Sequence, residues 1–479
     1  MSKLTTKTVG EMPVVLVVTY VVVIFLGTIL LDVIFREVVL PYIFPGLHAG
    51  NGFMLGGDSL GYHQKAIEVS ELIRNSGWSE WKLRPFSTLD APVGIASAIY
   101  SIFGNSPIVL LPFNAAVHAG SALCLLLILR PIVGGNPRYA IIATLPFVIF
   151  PTAFYWHSQL HKDGIFIFGI YLFLCGWLLQ FRDTPNSWQR QLISSALLVI
   201  GVILIWSVRT YMLIVLAAIG VVMVLLCGLF ENDWRKCGQL TSMEAAWRMV
   251  QRIGYCVAIV WVGGTGFLQT ATAYSGHIEV TQAQAQAQTQ IQTQVQAGRS
   301  QRVVCSGWEP TEWIPQPVDR LAFSIANTRR GYFSSVYADA ASTIDRDQCL
   351  NNFYELVGYF PRALQIGLFA PFPWQWLEAS AQGKVQTMRL VAGGEMLGAY
   401  FALIFCALAV WYRRKAPWLW TLLAFVIPIL LLLSIVTPNI GTLHRMRYGY
   451  FMILVGIGVG YLFRVLLEKR QSRLSTEKL

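Results

Sequence analysis

The residues best suited to chemistry are ionisable groups set where long apolar segments end. Asp58 opens the polar stretch DSLGYHQKAIEVSELIRNSGW, just after the first apolar run. His157, His161, Lys162 and Asp163 fall in WHSQLHKDG, Arg209 in SVRTY, and Arg445, Arg447 and Tyr448 in GTLHRMRYGY. Lys82 and Arg84 precede a shorter apolar run. A carboxylate can serve as general base toward a hydroxyl. Guanidinium groups can hold a phosphate through paired hydrogen bonds and neutralise charge that develops on it. An aspartate with several arginines on one membrane face suits displacement of a lipid phosphate from a sugar. Each residue also has a plainer use. Asp58 can cap a helix, Lys162 and Asp163 can pair locally at a helix start, Arg209 can snorkel, and Arg445 and Arg447 can meet lipid headgroups.

What must position these groups is a membrane-embedded bundle. The chain is 55% hydrophobic and 13% charged, with mean hydropathy +0.54, the composition of a multi-span helical protein. Residues 13–31 form an uncharged run long enough to cross a bilayer. The run is too long for a signal-peptide core and no small-residue cleavage site follows it, so an uncleaved span is expected. Lys3 and Lys7 precede it, which predicts a cytoplasmic N-terminus and an outward-facing Asp58. Spans are expected at 13–35, 107–129, 139–156, 164–181, 191–206, 211–230, 253–274, 388–411, 416–436 and 447–467, about ten in all. Residues 89–103 are apolar but short. If they do not cross, Arg130, Arg138, Arg182, Arg190, Arg235, Lys236, Arg248, Arg252, Arg413, Arg414, Lys415 and the tail all fall inside. An interfacial or re-entrant helix at 89–103 is therefore expected.

Three regions follow. Residues 1–274 form an N-terminal transmembrane module with its first outer loop at 36–106. Residues 275–387 form a large outer loop region, and 388–479 hold the last spans and a cytoplasmic tail. Within the first outer loop, a helix is expected from Ser59 to about Asn75, capped by Asp58 or Ser59 and stopped by Gly77, with Ala66, Ile67, Val69, Ser70 and Ile73 as its apolar face. In the large loop, 281–297 alternate glutamine with small or apolar residues, a pattern open to a strand, a helix extension or a linker. Residues 361–376 read as a partial insertion broken by Pro371 and Pro373. Cys305 and Cys349 share this region, and an outer compartment permits a disulfide between them. The net charge of +11 comes from loop lysines and arginines that fix orientation. No basic segment interleaved with aromatics points to nucleic acid. No CxxC pair is present, and a metal site is not expected.

The layout resembles the integral membrane glycosyltransferases of the GT-C fold, such as the protein O-mannosyltransferases and aminoarabinose transferases. The likeness rests on GGDSLGYHQKA after the first span and on APVGIASAIYSIFGNSPIVLLPFNA as interfacial helix and second span. It rests also on HKD in the turn after the third span, a large outer loop after the seventh, and RMRYGY at a late span. The resemblance implies a polyprenyl-phosphate sugar donor and a glycan, lipid or protein acceptor. It further implies an active site on the periplasmic face of a bacterial inner membrane. Carried over, Asp58 is the expected base and Asp163 a second acidic site. Lys82, Arg84, His161, Lys162, Arg209, Arg445, Arg447 and Tyr448 are expected around the substrate. The family often has an acidic pair where this chain has Asp58-Ser59, so a divalent cation remains an open requirement. A polysaccharide polymerase using a polyprenyl-diphosphate oligosaccharide, or a lipid-linked saccharide flippase, fits the same residues.

Overall fold

A computed structural model of the chain describes residues 12–55, 58–87, 90–179, 188–236, scattered positions between 243 and 258, and 307–334, 342–377 and 387–476. Those residues form an all-α membrane protein with one small β-hairpin. Seven of the described helices are long and apolar enough to cross a bilayer: Val14–Ile43, Pro107–Leu129, Lys162–Leu179, Trp188–Val208, Met388–Arg413, Trp418–Val436 and Ile440–Arg470.

Helix α1 (Val14–Ile34) runs on as a π-helical stretch, Phe35–Ile43, that contains Pro41. The missing proline N–H makes such a departure from α geometry cheap. A hairpin of β1 (His48–Gly50) and β2 (Phe53–Met54) follows. Asn51 and Gly52 both adopt positive φ, 50° and 72°, as a two-residue hairpin turn requires. Helix α2 (Ser59–Ser76) then lies beside α3 (Ala91–Phe103). The expected face of α2 is the buried one, since Ala66, Val69, Ser70 and Ile73 are enclosed. With Phe53, Val93, Ala96, Tyr100 and Leu160 they build a small core separate from the main one. Asp58 stands at the N-cap of α2 but in αR geometry, and its side chain makes no capping bond.

The main bundle contains α4 (Leu111–Leu129), α5 (Pro137–Ile149), α6 (Pro151–His157), α7 (Lys162–Leu179), α8 (Trp188–Val208) and α9 (Met212–Lys236). The single span expected over 139–156 is two helices. Phe150 is extended (ψ 130°) because the residue before a proline is pushed out of the helical region. Helices α7 and α8 form a tight hairpin. A side chain at Gly169 would meet the Gly201 carbonyl, and one at Gly176 the Ser194 carbonyl. Small residues let the two backbones approach where lipid offers no hydrophobic push. Of the expected span 253–274 only residues 253, 254, 257 and 258 are described, and these are helical; the glutamine-rich 281–297 lies outside the described residues.

Beyond them come α10 (Gln316–Ser334), α11 (Phe353–Gly358) and α12 (Phe360–Phe369). The break expected near Pro371 is present, as a 3-10 turn at Pro373–Gln375. Cys349 is disulfide-bonded; Cys305, its expected partner, lies outside the described residues. Helices α13 (Thr387–Arg413), α14 (Pro417–Val436) and α15 (Ile440–Thr476) complete the bundle. On α15, side chains at Gly456, Gly458 and Gly460 would collide with Leu129, Ala402 and Val133, so this long helix sits against both α4 and α13.

Candidate functional site

The turn between α6 and α7 is the organising element. Its sequence, WHSQLHKDG, is anchored from several directions by groups remote in the chain. Arg36 donates to the Ser158 carbonyl at 2.8 Å and to the Asn51 carbonyl at 2.6 Å. Gln159 accepts from the Met54 N–H at 3.1 Å and donates to the Gly52 carbonyl at 2.9 Å. Asn114 donates to the carbonyls of His157 and Gln159. Below the turn, His157 Nδ1 lies 2.6 Å from Asp32 Oδ1, and both side chains are buried. The hairpin that leads into α2 is thereby stitched to the turn that leads into α7, which brings Asp58 next to His161, Lys162 and Asp163.

Asp163 begins α7 and is 2% exposed. Its Oδ1 accepts from Arg209 Nη2, and its Oδ2 lies 3.3 Å from Arg445 Nε. One carboxylate thus gathers two guanidiniums from widely separated parts of the sequence. Arg209 follows the last residue of α8 and stacks over the Phe166 ring at 4.5 Å. Arg445 stands in the first turns of α15 and keeps a fifth of its side chain exposed. Lys162 is half-buried beside them, and Asp58 is solvent-exposed. Lys162 feels Arg209, Asp163, Asp58 and Arg445 electrostatically. Three cations therefore share two carboxylates, and the balance is positive. A buried ion pair is costly unless its remaining groups are satisfied, and here one cation more than the carboxylates can neutralise sits at the rim.

Two titrating groups flank the cluster outside the helices that cross. Burial pulls His161 down to about 4, against the opposing pull of Asp163, so it is a neutral imidazole at neutral pH. Burial, then the charge of Asp58, pushes the Tyr62 hydroxyl up, so it remains a protonated donor. His157 and His161 have the i, i+4 spacing of helical metal ligands, but α6 ends between them and His157 is taken by Asp32. Among the described residues, no group of three or more His, Cys, Asp or Glu is placed to hold a metal ion.

Other expected substrate contacts lie elsewhere. Arg84 donates to the carbonyls of Trp206 and Ser207 and covers the Trp206 ring at 3.7 Å. It satisfies the open carbonyl end of α8. Lys82 is exposed. Arg447 is 1% exposed and donates to the carbonyls of Ile366, Gly367 and Ala370 at the end of α12. Tyr448 donates to the Phe147 carbonyl at 3.0 Å and packs against Trp156. The geometry gives Arg84, Arg447 and Tyr448 backbone partners, while Asp58, His161, Lys162, Asp163, Arg209 and Arg445 converge. Glu395, Asp32, Arg36 and Asn114 were not singled out in the sequence. Asp32 and Glu395 carry a readable signal, being carboxylates inside apolar runs; Arg36 and Asn114 do not. Set against known proteins, the chain matches no family model, no curated protein and no solved structure.

Proposed function

We propose that the protein transfers a sugar from a polyprenyl-phosphate donor to a glycan, lipid or protein acceptor at the outer face of a bacterial inner membrane. Both termini would be cytoplasmic and the fold GT-C-like. The observation that carries this reading is the buried Asp163 shared by Arg209 and Arg445, with Lys162 at its side and Asp58 in front. In this scheme Arg445 and Lys162 hold the phosphate and offset the charge that builds on it as the glycosidic bond breaks. Asp58, whose solvated carboxylate makes no hydrogen bond or ion pair with a described residue, takes the proton of the acceptor hydroxyl. Asp163 is committed to the two guanidiniums, so its part is to aim them rather than to exchange a proton. Neutral His161 and the Tyr62 hydroxyl are donors suited to the sugar or the phosphate. The exposed apolar faces of the spanning helices would take the isoprenoid tail.

The test is sugar transfer by the purified full chain in nanodiscs, with a radiolabelled polyprenyl-phosphate hexose and a crude glycan acceptor. Asp58→Asn is expected to slow transfer by about 10²–10⁴-fold while binding of polyprenyl phosphate is retained. The surplus of cations supports a second reading, a polymerase working on a polyprenyl-diphosphate oligosaccharide. Full activity of Asp58→Asn on that substrate, with loss on Arg445→Ala, would favour it.

A further inference from the structure

The first turns of α15 are gripped on two faces. Arg445 meets Asp163 of α7 on one. His444 is the preceding residue, about 100° around the helix, and its Nε2 lies 3.2 Å from Glu395 Oε2 on α13. Thr152, at the start of α6, donates both its N–H and its hydroxyl to the same carboxylate. The Thr152 hydroxyl is also 3.1 Å from His444 Nε2. Arg447 reaches back to His444 Nδ1 at 3.4 Å. A guanidinium can only donate, so Nδ1 must be the accepting nitrogen. The imidazole proton is then on Nε2, which donates to Glu395. Nη1 and Nη2 of Arg447 also donate to the carbonyl end of α12, while its buried Nε has no hydrogen-bond partner. The result is a directed chain from α12 through Arg447 and His444 to Glu395 and α6. One anion balances one cation, and Glu395, with its side chain 3% exposed, offers nothing to a ligand.

We propose that Glu395 is a positioning residue for Arg445. Acting through His444, it fixes the rotation of the first turns of α15, so that the Arg445 guanidinium is held at Asp163 and ready for a phosphate. This role rests on the reading of Arg445 as a phosphate ligand. The conservative probe is Glu395→Gln. A single amide oxygen cannot accept from both the Thr152 N–H and the His444–Thr152 pair, so the change breaks the grip without emptying the site.

The experiment titrates polyprenyl monophosphate into the detergent-purified full chain, followed by tryptophan fluorescence, with a thermal melt on each sample. Glu395→Gln is expected to weaken binding about 10-fold with a folded melt, and Glu395→Asp to recover part of the loss. In Arg445→Ala, which should itself bind weakly, adding Glu395→Gln is expected to cost nothing more. A lower melting temperature with unchanged affinity, or losses that simply add in the double variant, overturns the positioning role and leaves the phosphate reading standing. Unchanged affinity in Arg445→Ala overturns both.

Discussion

Asp163 and Glu395 are both buried carboxylates that hold the beginning of α15, yet they are built differently. Asp163 faces two guanidiniums with a lysine close by, and the excess positive charge reaches the surface through Arg445. Glu395 faces a hydroxyl, a backbone N–H and an imidazole N–H, and the Arg447 guanidinium behind them is turned to helix carbonyls. Desolvation is expensive for either arrangement. The closed network recovers that cost within the protein. The open one carries a net positive charge at a partly exposed rim, the feature on which the proposed phosphate site rests. Partnering, more than residue type, separates the arginine proposed to bind from the arginine that braces.

The comparison can be broken most sharply at Asp163. Asp163→Ala leaves two guanidiniums without their shared anion, and removing one partner of a buried pair costs about 3–5 kcal/mol. A detergent-solubilised sample should melt far lower or fail to accumulate, whereas a stable, active variant would show that the cluster is less coupled than its geometry indicates. Next in size is the contrast between two neighbours on α15. Arg447→Ala should destabilise the fold by stripping donors from three carbonyls, and Arg445→Ala should spare the melt but weaken polyprenyl-phosphate binding about 10-fold. The reverse pattern would exchange the roles of the two residues. Smaller still is Thr152→Ala, which removes one hydroxyl from Glu395 and should cost about 1 kcal/mol of stability in a denaturant or thermal titration.

A pH dependence probes the open cluster from another side. The His161 pKa falls from about 6.5 in the unfolded chain to about 4 in the fold. Between those values the unfolded chain binds more protons, so stability declines as pH falls from 6.5 to 4 and levels off below. His161→Asn should flatten that part of the curve. An unchanged slope would assign the acid sensitivity to another group.

Much of the fold is legible in the sequence because bilayer physics leaves few choices. Apolar length marks the spans, the weakly apolar face of α2 is the one buried, and the break near Pro371 follows from proline chemistry. The split at Phe150 is harder to see because hydropathy stays high across it and only Pro151 marks the place. At the site, ionisable residues where apolar segments end can be gathered as a class, but their partners cannot. Nothing in GTLHRMRYGY reveals that Arg445 and Arg447 turn to opposite sides and meet an anion in one case and carbonyls in the other. That division depends on helix phase against α7, α12 and α13, which one sequence does not state. Glu395 escaped notice for a simpler reason, since one carboxylate in a long apolar segment is easily averaged away.

The glycine seam between α7 and α8 works as a gauge for the charges above it. Asp163 rides at the start of one helix and Arg209 just past the end of the other, so the depth at which the two backbones mesh sets the gap between them. Gly201 lies roughly 12 Å along the axis from Arg209, deep in the apolar layer. A methyl group added there would strike the backbone of Gly169 and Phe173 and pry the rails apart. The spacing of Asp163 and Arg209, and with it the proposed phosphate site, would then suffer from a change that touches nothing polar at all.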